Sequence, residues 1–291
     1  MELIRALGAL AEPPGPETAR LAELLDLGTP PDEAAFSEIF LFQLYPYASV
    51  YLGPEGMLGG EARDRIAGFW RALDLEPPPE PDHLAVMLSL YGRLAELEAQ
   101  AEGETAQKGW RRARKAFLWE HLLSWLPFYL TRFQDLAPAD SELAFYGRWA
   151  QLLQDALRAE AADLGPQATL PLHLREAPAL EDPRKASGEN FLGALLSPVR
   201  TGIILVRSDL QQAGRELGLG GRIGERAFVL KALMGQDSSA LLRWLASWAR
   251  QVSKSNSEKH SLDGDIASFW ARRAENTASL LTELSQEASD S

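Results

Sequence analysis

Asp82 and His83 are neighbouring titratable residues behind a proline run, Glu76-Pro77-Pro78-Pro79-Glu80-Pro81. A carboxylate and an imidazole are the raw material of general base catalysis. Sequence neighbours, however, cannot hydrogen-bond as a catalytic pair without special geometry. An aspartate after prolines is better suited to capping a helix, because its carboxylate accepts from backbone N–H groups two or three residues on. His83 would then lie in the first helical turn, where the helix dipole favours neutral imidazole. No Gly-x-Ser-x-Gly elbow occurs, and the chain has no cysteine, which removes thiolate nucleophiles, thiolate metal sites and disulfides. The four histidines, His83, His121, His173 and His260, are scattered, and Glu120 and His121 point in different directions if helical. Neither an enzyme, a metal nor a cofactor is expected.

A second constellation is the loop from Tyr45 to Gly60, which begins Tyr45-Pro46-Tyr47-Ala48-Ser49-Val50-Tyr51. Gly53, Gly56, Gly59 and Gly60 permit tight turns, and their spacing superficially suggests a phosphate cradle. No Gly-Lys-Ser/Thr follows and no strand precedes, so nucleotide binding or hydrolysis here is the weakest reading. The tyrosines suit packing with surface hydroxyls and a peptide groove about equally. A third stretch, Phe117 to Tyr129, is dense in aromatics and carries Pro127, which must kink or end its helix. Most of these aromatics, Trp125 and Phe128 included, are expected in the core.

Arg200, Arg207, Arg215, Arg222, Arg226 and Lys231 outnumber Asp209, Glu216 and Glu225, a basic island in an acidic chain. A helix from Ser208-Asp209, a turn over Gly218 to Gly221 and a helix opened by Gly224-Glu225-Arg226 admit two readings. One is a DNA-binding regulator using the hairpin 198–231; the other is ordinary helical packing. The net charge of −12 favours packing and argues against nucleic acid or stable membrane association as a partner.

The elements that must hold these groups are helical almost throughout. Leu84, Met87, Leu88, Tyr91, Leu94 and Ala95 recur at three and four residues, as do Ile66, Phe69, Trp70 and Leu73. Further stripes run through Trp149, Leu153 and Leu157, through Leu241, Leu245 and Trp248, and from Ile266 to Leu284, with Ser141 and Ser238 as N-cap candidates. Only Ile203-Ile204-Leu205-Val206 looks strand-like, and a lone strand has no partner. The spacing predicts an all-α bundle. Breaks fall at Glu12 to Pro16, Thr29 to Pro31, Gly53 to Gly60 and Glu76 to Pro81, and Ser253 to Asp265 reads as a flexible connection. The expected organisation is a main bundle over 1–164, an irregular connection over 165–188 and a C-terminal helical section, 189–291, packing on the bundle. With no signal-like N-terminus and no apolar run long enough to span a bilayer, a cytoplasmic location is expected.

Three motifs in this order resemble the TorD/DmsD/NarJ family of chaperones for molybdenum enzymes. They are Pro46 with Ser49, Pro81-Asp82-His83, and His121, Trp125 and Pro127 with the aromatics that follow. The likeness runs from Ala35 to Leu157 and more loosely to Trp248, where Pro198-x-Arg200-x-Gly202 resembles the C-terminal part of longer chains of this type. It implies a TorD-like helical bundle, hinged near 76–83, with a C-terminal helical extension. It also implies an assembly chaperone, monomeric or homodimeric, that holds the catalytic subunit of a molybdopterin oxidoreductase or its twin-arginine leader until the cofactor is inserted. Client-binding residues implied are Tyr45, Pro46, Tyr47, Ser49, Tyr51, Pro81, Asp82, His83, His121, Trp125, Pro127 and Phe128.

Overall fold

The computed structural model describes residues 2–138, 141, 143–185, 191–221, 223–259 and 264–290. Helices make up the fold, as the apolar spacing predicts, and no strand occurs among the described residues. None of these helices is long and apolar enough to cross a membrane. The chain divides into two compact units, one built from Met1–Ser49 and Leu58–His173, the other from Val50–Met57 and Leu174–Ser291.

The first unit contains α1 (Glu2–Ala9), α2 (Pro16–Leu24), α3 (Glu33–Phe36), the start of α4 (Ala48–Leu52), α5 (Gly60–Ala72), α6 (Leu84–Gln100), α7 (Glu104–Phe117), α8 (Leu126–Leu136), α9 (Ala144–Leu164) and the start of α10 (Leu172–Arg175). Wider π-helical turns extend α3 over Ser37–Gln43 and α7 over Leu118–Leu122. The core is aromatic: Phe40 lies 5.3 Å from Phe133, 5.2 Å from Tyr146 and 5.9 Å from Trp149, mostly edge-on, the geometry ring quadrupoles favour. Trp149 spends its indole N–H on the Leu7 carbonyl at 2.8 Å, which closes α1 onto α9. Gly8 lets α1 approach α6 closely, since a Cβ there would stand 3.1 Å from that of Leu88.

A half-buried ionic network joins α6, α7 and α9. Arg114 reaches Glu98 at 2.8 Å, Glu160 at 2.9 Å and Asp163 at 3.1 Å, while the Tyr91 hydroxyl donates to Glu160 at 2.5 Å. Burial and that neighbouring carboxylate hold the Tyr91 phenol well above its ordinary pKa.

The second unit contains α11 (Phe191–Leu195), α12 (Pro198–Thr201), α13 (Arg207–Glu216), α14 (Arg226–Met234), α15 (Ser238–Lys259) and α16 (Gly264–Asp290). α15 and α16 run antiparallel: the Ser239 hydroxyl bonds the Ser285 carbonyl, and Ser253 bonds that of Ala271, both at 2.9 Å. Ile203–Val206 form no strand; all four are buried, with Ile203 against Ala249, Ala274 and Ala278. Gly202, at φ +75°, sits where a Cβ would come within 2.3 Å of the Ala274 nitrogen.

Four local expectations are corrected. Ser141 does not cap α9: the cap position is Leu143, and the Ser141 hydroxyl turns back to the Pro138 carbonyl. At the start of α15, Asp237 rather than Ser238 accepts from a first-turn N–H, that of Ala240, at 2.8 Å. Ser253–Lys259 is helical rather than a flexible connection; its serines bond helix carbonyls and Asn256 is buried. Residues 260–263 lie outside the described residues. Asp82 does not cap α6, for the reason given next.

Candidate functional site

The segment 46–49 lies alongside 82–84 in the first unit. Tyr47 and His83 form an isolated antiparallel bridge. Leu84 N–H donates to the Pro46 carbonyl at 2.8 Å, and Ala48 N–H to the Asp82 carbonyl at 3.0 Å. The Asp82 carboxylate, 2% exposed, accepts from the Ser49 N–H at 3.2 Å. That long-range bond takes the oxygen that would otherwise cap α6, and His83 caps the helix instead, its Nδ1 accepting from Ala85 N–H at 3.3 Å. The Ser49 hydroxyl in turn accepts from Gly59 N–H at 3.1 Å, at the start of α5. Pro46 and Pro81 are buried, and their missing N–H groups leave no donor unpaired there.

Three groups remain on the outer side of this clasp. Tyr47 is half-buried; its ring meets that of His83 at 4.9 Å and 77°, and its hydroxyl donates to Glu80 at 2.9 Å. Partial burial and the Glu80 carboxylate push the Tyr47 phenol up to about 12. Glu80 is exposed, and the exposed Glu12 brings a carboxylate oxygen to 3.5 Å from His83 Nδ1. Burial lowers the His83 pKa, against the opposing pull of Glu12, Glu80 and Asp82. The result is an edge-on pair of rings, Tyr47 and His83, with the accessible Glu80 on the phenol and the accessible Glu12 on the imidazole. Tyr45, half-buried, continues this edge, and Leu41 and Phe42, each about half exposed, precede it on the π-helical turn.

The other expected residues lie deeper. Trp125 is 0% exposed and donates its indole N–H to the His121 carbonyl at 2.9 Å. Pro127 opens α8 in its first turn, so it ends the preceding helical run as its ring requires. Phe128 is buried, and Tyr51 is buried in the second unit. The Tyr129 hydroxyl bonds the Leu44 carbonyl at 3.2 Å, tying α8 to the chain just before Tyr45. Trp125 and Phe128 thus reach the clasp only through the core that supports it.

His121 is brought against His173, Nδ1 to Nε2 at 3.3 Å, beside Phe69 and Phe117. Burial, with the proximity of His173 and Arg65, depresses the His121 pKa to about 3, so the imidazole is neutral. Glu120 secures the segment carrying His173, accepting from Gln167 and from Leu172 N–H, each at 2.7 Å. Among the described residues no third His, Asp or Glu joins the pair as a metal-holding group.

Sequence reasoning missed Glu12 and Glu80 at the clasp and the meeting of His121 with His173. Glu80 was signalled only by its place inside the proline run. Glu12 and His173 come from distant segments and carried no local sign.

Residues 16–129 match the family described as nitrate reductase delta subunit. A chaperone protein TorD of Vibrio vulnificus (strain YJ016) is 32% identical over 128 residues, covering 41% of this chain and 58% of its own length. A chaperone protein TorD of Aeromonas salmonicida (strain A449) is 30% identical over 122 residues, covering 41% of this chain and 54% of its own. The chain therefore spans little more than half the length of these relatives. Every residue of the clasp except Glu12 lies within 16–129, and over that stretch the resemblance to the TorD/NarJ chaperone family, drawn from the motifs, holds.

Proposed function

We propose that this chain is an assembly chaperone, not an enzyme, which holds the catalytic subunit of a molybdopterin oxidoreductase, or its twin-arginine leader, until cofactor insertion. The observation that carries the reading is the Tyr47–His83 ring pair with Glu80 on the phenol and Glu12 on the imidazole. A leader offers two adjacent guanidinium groups followed by an apolar stretch. Two accessible carboxylates suit the guanidinium pair, and the aromatic pair beside them adds cation–π attraction. Such pairing orients a ligand more than it raises affinity, so the apolar stretch must find contact as well. Leu41, Phe42 and Tyr45 offer it beside the clasp. Asp82, spent on Ser49, serves as a support and not as a contact.

Calorimetry with a synthetic twin-arginine leader peptide tests this. Binding should weaken about tenfold for Glu80→Gln and for Tyr47→Ala, and for a leader with lysines in place of the arginines. Equal affinity for all variants would remove the clasp from the reading. Affinity capture from the native cell extract, with mass spectrometry of bound proteins, then identifies the client.

A further inference from the structure

Two groups address one atom of the clasp, His83 Nδ1. Ala85 N–H donates to it at 3.3 Å, and a Glu12 carboxylate oxygen stands 3.5 Å away. The first contact needs a bare nitrogen, and the second becomes a bond only if that nitrogen carries a proton. The Glu12 distance lies just beyond an ordinary hydrogen bond, so a small turn of the ring closes it. The Glu12 backbone is held in place: its N–H donates to the Ala9 carbonyl at 3.2 Å, and Leu10 and Ala11 before it are buried. The groups facing His83 are Glu12 from beyond α1, Glu80 and Asp82 from the proline run, and Tyr47 across the bridge. Three of these four are carboxylates. Glu80 and Asp82 are engaged by the Tyr47 hydroxyl and the Ser49 N–H, so Glu12 is the carboxylate open to the ring.

We propose that His83 is a proton-operated switch on the clasp, capping α6 when bare and, when protonated, taking the Glu12 carboxylate from a bound arginine. The proposal rests on the reading of the clasp as a guanidinium site. The proton comes from solvent and lands on Nδ1, and no covalent bond of the chain changes. Once Nδ1 carries it, the Ala85 N–H loses its acceptor and faces a second donor. The positive end of α6 repels the imidazolium as well, so both effects turn the ring toward Glu12. An arginine at Glu12 and a proton at His83 then compete for one negative charge, and each weakens the binding of the other by the same factor. Burial holds His83 below its ordinary pKa, so at neutral pH the clasp stands ready to capture. Acid sets it to release.

Two measurements on the full chain test this. Nuclear magnetic resonance of the His83 ring nitrogens and the Ala85 amide, without peptide, reads the switch itself. As the pH falls from 7.5, the Ala85 signal should move with the same midpoint as protonation of His83 Nδ1. Glu12→Gln should lower that midpoint, since it removes a pull toward the charged ring. Calorimetry with the twin-arginine peptide reads the consequence. Affinity should fall about threefold or more from pH 7.5 to 5.5, one displaced proton setting a ceiling of about tenfold per pH unit. His83→Asn keeps a capping oxygen but has no proton to gain, so it should lose this pH dependence whatever its affinity at pH 7.5. Circular dichroism at each pH checks that the proteins remain folded. The proposal is overturned if the Ala85 amide does not follow His83, if Glu12→Gln leaves the midpoint unchanged, or if His83→Asn keeps the full pH dependence. A peptide that binds at no pH sinks the guanidinium reading instead, and the switch then stands or falls on the resonance data.

Discussion

Tyr47 and His83 face one another across a single antiparallel bridge, rings 4.9 Å apart, and the same His83 nitrogen that accepts from Ala85 stands 3.5 Å from Glu12. One nitrogen cannot serve both. Neutral, it caps α6; protonated, it would turn to the carboxylate. Burial lowers the pKa and keeps the capping state in force.

Stability and client binding should separate at this clasp. Asp82→Ala removes the acceptor of the buried Ser49 N–H and should cost about 1–3 kcal/mol. Glu80→Gln alters an exposed group and should change stability by under about 0.5 kcal/mol while weakening leader binding. Urea melts and calorimetry on the same two proteins check both halves.

Acidification should destabilise the fold through His121. Above pH 6.5 its imidazole is neutral folded or unfolded. Between the ordinary histidine value of 6.5 and the folded value near 3, the unfolded chain binds a proton that the folded chain refuses. Stability from this group should therefore fall by about 1.4 kcal/mol per pH unit below 6.5. Denaturation at pH 7.5, 5.5 and 4.5 should show the fall set in and approach that slope, and His121→Gln should flatten it.

Arg114 is a larger structural liability than its neighbour Arg111. Arg114→Met removes the buried guanidinium that Glu98 and Glu160 share, leaving Glu98 to the more exposed Arg111 and Glu160 to the Tyr91 hydroxyl, and should cost about 3 kcal/mol. Arg111→Ala touches a more exposed guanidinium and should cost under about 1 kcal/mol. If Glu98→Gln partly restores the Arg114→Met protein in a melting experiment, the uncompensated charge is the cause.

Gly202→Ala should disrupt the second unit. The residue would hold a left-handed backbone with its Cβ pressed on the backbone of Trp270 and Ala274 in α16. The combined cost should be about 3 kcal/mol or more. A loss of melting cooperativity, with Gly193→Ala nearly silent, would check it, since a Cβ at Gly193 meets nothing within 4 Å.

Helix type and stripe were legible in the sequence because burial follows spacing. Leu84, Met87, Leu88, Tyr91 and Leu94 are all buried as their periodicity requires. Errors arose where a polar side chain found a distant partner. Asp82 looked like a local cap and instead reached 33 residues back to Ser49. Ser253–Lys259 looked like a linker by composition, yet stays helical alongside α16, a pairing that no property of the segment alone announces. The clasp was legible as two motifs, Tyr-Pro-Tyr and Pro-Asp-His; their meeting, and the accession of Glu12, was not.

The second unit takes Val50–Met57 from the middle of the chain and the rest from beyond Leu174. Gly56, at φ +64°, nests against Leu196 and Ser197, and the Ser197 hydroxyl bonds the Gly53 carbonyl at 3.3 Å. On the ribosome these eight residues emerge long before the segment that receives them. At roughly 5–20 residues per second, the wait is on the order of ten seconds, during which Val50–Met57 lacks the segment it packs against. The nascent chain is thus committed to leaving an apolar stretch unsheltered, and a chain that stops near His173 would keep that stretch exposed for good.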